Sequence, residues 1–494
     1  MTNLSGANLN NGAAVGPQGE GKESPSNFPT YPVYKDSGVE WLGSVPEHWA
    51  IFSLKRSVDG CTNGLWGDEP DGENDLAVIR VADFDRATCR VGLDKLTYRS
   101  ITQKERASRL LQPGDLLIEK SGGGEKTLVG CVVLFEHDFE AITSNFVARM
   151  RPLHGFDSGF LCYSFDSLYQ GKVNFPAIKQ TTGIQNLDSE SYLQERFCFP
   201  TLAEQTQIAR FLDHETARID ALIEEQQRLI ELLKEKRQAV TSHAVTKGLD
   251  PTVPMKDSGV EWLGEVPAHW DVCSVRRVIS AIEQGWSPEC EANPADEDAW
   301  GVLKAGCVNR GVFDPSENKT LPAWLEPVAE YEVRAGDILM SRASGSPELV
   351  GSTALLGEVR EKLMLSDKIF RLHLEAKISS SFFVWVMNAQ FMRAQIEQAL
   401  SGGNGLANNL PQSSLLAFWL AVPPSHEQVA IAEYINKLVG EIDALISEGG
   451  SAVELLQERR SALISAAVTG KIDVRGWQPP AINQAPKLEV TEAN

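Results

Sequence analysis

Two long segments of the chain, 201–247 and 425–471, repeat their apolar residues every seven positions. A second set of positions follows three residues after the first, which is the pattern of a coiled coil. We therefore predict two long helices that pair antiparallel and bury these residues against each other. The predicted helix–helix interface consists of Leu212, Ile219, Leu222, Leu229, Leu233, Ile435, Leu438, Ile442, Leu445 and Leu456.

Helices of this length are rods of about 65 Å, at 1.5 Å per residue. Such rods predict a spacer that holds two domains apart, with the alternative that each helix covers only its own domain. Gly449 and Gly450 stand in the second helix where the first has Gln226 and Gln227. Because an interior glycine costs about 1 kcal/mol relative to alanine, we expect a kink or a loosened turn there.

Short β-type runs lie outside these helical segments, for example at 76–84, 116–120, 129–135 and 336–342. Gly, Asp and Asn turns separate them, and short helical patterns such as 381–400 accompany them. The pattern predicts a mixed α/β fold class, with compact domains that expose loops and are each followed by a long helix.

The chain contains an internal duplication. The nine residues KDSGVEWLG at 35–43 recur unchanged at 256–264, and IDALI at 219–223 recurs at 442–446. The motifs keep the same order in both copies, while the segments between them differ. This predicts two equivalent scaffolds that carry different surfaces. Neutral drift after an old duplication is the alternative.

Composition limits the possible functions. The 494 residues include 46 Lys and Arg against 67 Asp and Glu, a formal net charge of −21 that opposes binding to nucleic acid. The eight cysteines lie far apart, with no C-x-x-C motif, so the sequence predicts neither a zinc site nor a disulfide framework. With no signal-peptide or membrane-spanning pattern, we expect a reduced, cytoplasmic protein.

The repeated motifs resemble those of a known family. Two openings of the form KDSGVEWLG, each followed by V-P-x-H-W, precede two helices with the patterns E-Q-x-x-I-A and I-D-A-L-I. In this order they resemble the specificity subunits of type I restriction–modification systems, over about 31–471. The resemblance implies a non-catalytic subunit with two target recognition domains, each of which reads one half of a split DNA sequence. It also implies that the helices set the spacing of the halves and dock two methyltransferase subunits.

The same resemblance implies double-stranded DNA and restriction subunits as further partners, and no membrane. S-adenosylmethionine, ATP and Mg²⁺ are expected on the partner subunits, with no cofactor in this chain. The residues agree with that view, because SGGGEKT at 121–127 lacks the glycine that precedes the lysine of a phosphate-binding loop. The segment 174–177 only superficially resembles the catalytic loop of an adenine methyltransferase. We therefore predict no catalytic or metal site.

The duplication and the resemblance together predict six segments. These are a disordered N-terminal extension at 1–30, a first target recognition domain at 31–200, a first long helix at 201–247, a linker with the second target recognition domain at 248–424, a second long helix at 425–471 and a C-terminal tail at 472–494.

Base edges of DNA are read mainly by Arg, Lys, Asn, Gln, Ser and Thr side chains. Such residues cluster in matched loops at 119–123 and 341–345, in matched loops at 179–186 and 401–409, and at two matched strand ends. A solvated turn is the alternative at each single position. The candidate DNA contacts are Arg80, Lys120, Ser121, Lys179, Gln180, Thr181, Thr182, Gln185, Lys304, Ser341, Arg342, Ser344, Asn404 and Asn408.

Both variable segments are acidic, with 17 Lys and Arg against 22 Asp and Glu in 47–200 and 13 against 19 in 268–422. Since phosphate neutralisation normally dominates affinity for DNA, we predict that the methyltransferase subunits supply much of the positive charge. The alternative function is a duplicated coiled-coil scaffold whose variable domains bind proteins.

Overall fold

The computed structural model describes residues 28–123, 127–181, 183–401 and 408–479. The chain divides into two compact units, the first formed by residues up to 225 with those from 452 onward, and the second by 226–451. Two long helices, α4 Leu202–Lys247 and α8 Ser425–Val468, each contribute to both units. Both helices are as predicted, within three residues of the expected bounds.

The first unit is a mixed α/β domain. Its strands are β1 Tyr34–Asp36, β2 Ser44–Pro46, β3 Ala50–Ser53, β4 Thr62–Asn63, β5 Asp75–Ile79, β6 Phe84–Asp85, β7 Arg90–Val91, β8 Thr97–Ser100, β9 Leu116–Glu119, β10 Ser121–Gly122, β11 Val132–Leu134, β12 Ala141–Thr143, β13 Val147–Met150, β14 Ile178–Thr181, β15 Ile184–Leu187 and β16 Arg196–Phe199. Its short helices are α1 Gln103–Arg106, α2 Ser158–Gln170 and α3 Ser189–Tyr192.

The second unit has the same kinds of element. Its strands are β17 Met255–Asp257, β18 Glu265–Pro267, β19 Asp271–Ser274, β20 Ile279–Gln284, β21 Gly301–Leu303, β22 Asn318–Thr320, β23 Ile338–Ser341, β24 Ala343–Ser344, β25 Thr353–Leu355, β26 Leu363–Met364, β27 Ile369–Leu374, β28 Asn408–Asn409 and β29 Trp419–Val422. Its short helices are α5 Ser380–Met387, α6 Gln390–Ser401 and α7 Gln412–Ala417.

The two units share one sheet plan although their sequences differ. Strands β4-β13-β9-β11 of the first unit, within a six-stranded sheet, correspond in order to the four-stranded sheet β20-β27-β23-β25 of the second. The small sheet β12-β5-β8 corresponds to β26-β21-β22, and both contain one parallel and one antiparallel pair. The divergent segments therefore kept their scaffold, as the duplication predicted.

Each KDSGVEWLG motif, together with the V-P-x-H-W residues that follow it, forms a segment called an opening below. Each opening is hydrogen-bonded to the first turn of a long helix. In the first unit, the nearly buried Glu204 carboxylate accepts hydrogen bonds from Tyr31 Oη (2.6 Å) and Trp49 Nε1 (3.1 Å), and His48 Nε2 lies 2.9 Å away. In the second unit Glu427 takes the same position against His269 and Trp270. The repeated His-Trp pair is thus a packing motif.

Each opening also packs against the end of a long helix. Gly470, just after α8, has a left-handed φ of +72°, and a Cβ there would lie 2.4 Å from Pro46 Cδ, so only glycine fits. Lys471 Nζ then donates to the Ser44 carbonyl at 2.6 Å. The corresponding Lys247, at the end of α4, donates to the Glu265 carbonyl.

The chain ends adjoining the first unit contribute to its core. The Phe28 ring meets Phe211 edge-on, with centroids 5.2 Å apart, and Trp477 meets the same ring at 5.4 Å. The Asp473 amide donates to the Pro29 carbonyl at 2.7 Å. Residues 28–30 and 472–477 are therefore packed segments at the two ends of the described chain. The predicted disordered extension and C-terminal tail otherwise lie largely outside the described residues, and the domain bounds stay predictions.

The two long helices pair, and their contacts correct the predicted interface. Leu212, Ile219, Ile435 and Ile442 are buried and Leu233, Leu438 and Leu456 are half-buried, but Leu222, Leu229 and Leu445 are 40–51% exposed. On α4 the covered positions alternate by four and three residues, through Thr216, Ile223 and Ile230. The second buried position therefore lies one residue later than predicted, because apolar neighbours at 222–223 and 229–230 offered two choices.

The expected interruption at Gly449 and Gly450 is absent, since α8 continues as one helix through both residues. A Cβ at Gly449 would lie 3.1 Å from Ile230 Cγ1, whereas one at Gly450 would meet open space. Gly449 thus lets the Ile230 side chain approach the α8 backbone closely, and this contact offsets part of the helix-propensity cost.

All eight cysteines are free thiols. Within the described ranges, no helix is long and apolar enough to cross a membrane, and no three His, Cys, Asp or Glu side chains are grouped so as to hold a metal ion.

Candidate nucleic-acid interface

In the first unit the fold joins two loops that the sequence identified separately. Strand β10, within the loop 119–123, pairs antiparallel with β15, with Ser121 opposite Asn186 and Gly122 opposite Gln185. Ser121 Oγ donates to Asn186 Oδ1 at 2.6 Å. Strand β14 completes this three-stranded sheet. The exposed polar residues of both loops are therefore carried by one sheet, and its described segments 120–122, 178–180 and 184–187 are referred to below as the first polar ridge.

The second unit repeats this arrangement with different residues. Strand β24 pairs with β28, so that Ser344 lies opposite Asn408, and Asn408 Nδ2 donates to the carbonyls of Ser344 and Gly345, each at 3.3 Å. We call 342–345 with 408–409 the second polar ridge. Its residues come from the two loops predicted for this unit.

The cation at the start of each ridge is held by the same main-chain bonds. The Lys120 amide donates to the Phe146 carbonyl, and the Lys120 carbonyl accepts from Leu187, both at 2.8 Å. The Arg342 amide donates to the Lys368 carbonyl, and its carbonyl accepts from Leu410, again both at 2.8 Å. One backbone scaffold thus presents lysine in one unit and arginine in the other.

Further polar residues surround these cations, and the sequence did not single them out. Lys120 Nζ donates to Asn63 Oδ1 at 2.8 Å. In the second unit the Asp367 carbonyl accepts from Arg342 Nη1 (3.2 Å) and from Gln284 Nε2 (2.9 Å). Asn63 and Gln284 occupy matched positions at the repeat offset of 221, each directly before a glycine. That offset is the signal that could have identified them.

Two candidate contacts are buried and do not face solvent. Gln185 is 5% exposed, and its Oε1 accepts from the Val129 amide at 3.2 Å. Ser341 is fully buried at the end of β23. Both side chains point into their domains because alternate residues of a strand face opposite sides. Both residues support the ridges from inside their domains. Their prediction as direct DNA contacts is therefore wrong.

The other candidates differ in exposure and in whether their side chains already have a partner. Gln180 and Lys179 are exposed, and Lys179 Nζ lies 2.8 Å from Asp188, whose pKa that hydrogen bond holds below its usual range. Thr181 ends β14, and Thr182 and Asn404 lie outside the described residues. Their predicted role stays a prediction.

Arg80 and Lys304, at the matched strand ends, each have a carboxylate partner. Arg80 Nη2 lies 2.7 Å from Asp83 Oδ1, and this hydrogen bond raises the pKa of the guanidinium. Lys304 Nζ lies 3.6 Å from Glu317. A phosphate at either cation would compete with that carboxylate. These two residues are therefore weaker candidates than Lys120 and Arg342, for which the described residues give no carboxylate partner within 4 Å.

Two carboxylates of the acidic segments 68–75 and 283–298 have partners within the protein. The amide of Asn74, the hydroxyl of Ser100 and the amide of Glu73 donate to Asp71 and hold its pKa well below the usual range. In the second unit Glu283 pairs with Arg371 and His373. The net charge of −21 is a sum over the whole chain and does not give the local charge at the ridges.

Comparison with known proteins agrees with this architecture. No protein-family model matches the chain. The chain is 32% identical over 242 residues to the specificity subunit of type I restriction enzyme EcoEI from Escherichia coli, which covers 49% of this chain and 40% of that relative. It is 23% identical to the EcoKI specificity subunit of Escherichia coli strain K12, over 75% of this chain and 77% of the relative.

A longer match extends to an archaeal protein, the putative MjaX specificity subunit of Methanocaldococcus jannaschii, at 22% identity over 88% of this chain and 96% of that one. Among solved structures, a chain from a study of complex assembly and conformational transition in a type I restriction–modification system covers 86% of this chain with a TM-score of 0.63 and 15% identity. That structural likeness supports the fold. In sequence, the chain is similar to the specificity subunits of type I restriction enzymes, and the relative of 32% identity is matched over 40% of its own length.

Proposed function

We propose that this chain is the DNA sequence-specificity subunit of a type I restriction–modification complex, in which each unit reads one half of a bipartite target. The observation that carries the proposal is the pair of polar ridges. The same main-chain hydrogen bonds hold Lys120 in one unit and Arg342 in the other, while neighbouring side chains differ. Two matched scaffolds with different side chains are suited to reading two different half-sites.

The chemistry of the ridges fits base readout. Arginine makes bidentate contacts with guanine in the major groove, and asparagine does so with adenine. Hydroxyls such as those of Ser121 and Ser344 bond to either a base edge or a phosphate. Glycines at 122 and 345 let the backbone approach closely. In this proposal the chain itself is non-catalytic, and it supplies only the geometry of recognition.

The proposal assigns the chemical steps to partners. Methyltransferase subunits would carry S-adenosylmethionine and methylate adenine, and restriction subunits would carry ATP and Mg²⁺. Because the two ridges contain few cations, the methyltransferase subunits also supply much of the phosphate neutralisation. A complex that acts on chromosomal DNA works in the cytoplasm.

The exposed leucines on the paired helices support a docking role for methyltransferase subunits. Leu222 on α4 corresponds to Leu445 on α8 at the repeat offset, and Leu232 corresponds to Leu455. All four are at least 40% exposed. Apolar side chains that recur at matched positions favour two copies of one partner, since a repeated surface binds a repeated ligand.

The proposal is tested by co-expressing the chain with its methyltransferase subunit and mapping methylated adenines in host DNA. We expect a split motif that is absent without the chain. Replacing Lys120, Ser121 and Lys179 by alanine should change discrimination in one half only, and replacing Arg342, Ser344 and Asn408 should change the other. Methylation that ignores both sets of substitutions would favour the protein-binding scaffold.

A further inference from the structure

Each unit exposes a tryptophan beside its polar ridge. Trp66 is 40% exposed in the first unit and Trp286 is 38% exposed in the second. They follow the matched residues Asn63 and Gln284 by three and two positions. A half-exposed indole gives up a large part of the stabilisation that burial of its ring would provide. Two such side chains at nearly matched positions therefore indicate contact with a partner outside the chain.

The backbone that carries Trp66 is fixed on both sides. A Cβ at Gly64 would lie 2.0 Å from the Thr143 carbonyl oxygen, and one at Gly67 would lie 2.3 Å from Ile101 Cδ1. The backbone thus packs closely at two points three residues apart, against β12 at Gly64 and against the residue that follows β8 at Gly67. Leu65 packs toward the small cluster around Ile101 and Ile142. The Trp66 ring remains outside, with the Arg99 guanidinium 4.7 Å from its centroid.

The backbone at Trp286 is anchored in the corresponding way. A Cβ at Gly285 would lie 2.0 Å from the Leu365 carbonyl oxygen, and the Trp286 amide donates to that same oxygen at 3.2 Å. The residues on either side of Trp286 and Gly285 are fixed as well, because Gln284 and Ser287 both hydrogen-bond to Asp367. The ring is therefore displayed from a rigid loop.

Each indole lies within three residues of a residue that is hydrogen-bonded to the ridge cation or to the partner of that cation. Asn63, three residues before Trp66, accepts from Lys120 Nζ. Asp367, bonded to both neighbours of the Gly285–Trp286 pair, accepts from Arg342. In the first unit Phe146, whose carbonyl holds the Lys120 amide, is also exposed. Each ridge thus combines a cation, hydrogen-bonding groups and an aromatic ring, which is the composition of a surface that binds nucleic acid.

We propose that Trp66 and Trp286 are DNA contacts, one for each half-site, and that their rings pack on apolar atoms of the bases and sugars. This inference rests on the proposed function. It accounts for how an acidic chain contributes affinity of its own, because contact between an aromatic ring and a base releases no counterions and is insensitive to salt. The cations of the ridges orient the duplex, and the rings add salt-independent affinity.

The test uses the chain assembled with its methyltransferase subunits and a labelled duplex that contains the target found by methylation mapping. Dissociation constants are measured across a salt series for the wild type, Trp66→Ala, Trp286→Ala, Lys120→Ala and Arg342→Ala. We expect each tryptophan variant to bind about tenfold more weakly at every salt concentration, with an unchanged slope of log K against log salt. Lys120→Ala should reduce the slope by about one if Lys120 contacts a phosphate.

Scrambled duplexes assign each ring to a half-site. With one half-site scrambled, the loss caused by Trp66→Ala should disappear, and with the other scrambled, the loss caused by Trp286→Ala should disappear. Trp262 is the matched control, since it is 36% exposed but lies in the repeated opening. Trp262→Ala should bind as the wild type does. Trp66→Phe keeps an aromatic ring and should retain more affinity than Trp66→Ala.

Two results would overturn the inference. If both tryptophan variants bind like the wild type while Lys120→Ala and Arg342→Ala bind weakly, the rings are not contacts and the proposed function still stands. If the assembled wild type shows no preference for the mapped target over a scrambled duplex, the proposed function fails together with the inference.

Discussion

Arg460 on α8 donates to Asp220 on α4, with Nε and Oδ1 2.8 Å apart. The duplication creates an equivalent pair, because Asp443 and Arg237 occupy the matched positions and also lie 2.8 Å apart. The two pairs differ in how deeply the arginine side chain is buried. The Arg460 side chain is only 12% exposed, whereas that of Arg237 is 37% exposed.

This difference predicts unequal stability effects at matched positions. Asp220→Ala leaves a mostly buried guanidinium without its partner and should lower the free energy of unfolding by about 2 kcal/mol. Asp443→Ala, at a solvent-exposed pair, should cost at most about 0.5 kcal/mol. Urea unfolding of both variants measures this contrast. Equal losses of unfolding free energy in the two variants would mean that burial of the arginine does not determine how much each ion pair contributes.

The two adjacent glycines of α8 should respond oppositely to added side chains. Gly450→Ala places a Cβ in open space and should stabilise the chain by up to about 1 kcal/mol through helix propensity. Gly449→Leu forces a bulky group against Ile230 and should destabilise it by about 1–3 kcal/mol. Thermal unfolding gives both values. A stabilising Gly449→Leu would contradict the close packing of the helices.

The buried carboxyl of Asp166 should make stability depend on pH. Burial raises its pKa above the ordinary value of 3.8, and Gln170 Nε2 donates to it at 3.1 Å. The native state therefore holds this proton more tightly than the unfolded state, so stability falls as pH rises from about 4 through the native pKa. Above that pKa, the full free-energy cost of burying the ionised Asp166 carboxylate lowers the stability of the native state.

Asp166→Asn removes this titration and keeps an acceptor for Gln170. We expect the variant to gain stability relative to the wild type as pH rises from about 4 to 7. Denaturant unfolding at several pH values measures the difference. Asp138→Asn, in an exposed loop, is the control for the loss of one negative charge. A flat difference for Asp166→Asn would contradict the assignment.

The exposed leucines on the helices should bind the methyltransferase subunits. The double variant Leu222→Glu with Leu445→Glu should weaken co-purification with those subunits because it places charge on the docking surface. Its unfolding free energy should stay within about 0.5 kcal/mol of the wild type, since both side chains are exposed. Leu153→Glu, at an exposed leucine outside the long helices, should leave co-purification unchanged.

The sequence by itself determined the duplication, the two long helices and the mixed α/β class. These features are local or repetitive: a heptad pattern persists over more than forty residues, and a nine-residue identity needs no knowledge of contacts. The candidate loops could also be found, because glycines and polar residues mark turns. Their matched positions in the two copies made them comparable.

Only the tertiary structure decided which faces are covered. It selected Ile223 over Leu222 on α4, because both are apolar and only the partner helix distinguishes them. It showed that Gly449 makes room for Ile230, which helix propensity alone could not indicate. It joined the loops of each ridge across more than sixty residues of chain and turned Gln185 and Ser341 inward. Burial depends on non-local contacts, and a single sequence does not display those contacts.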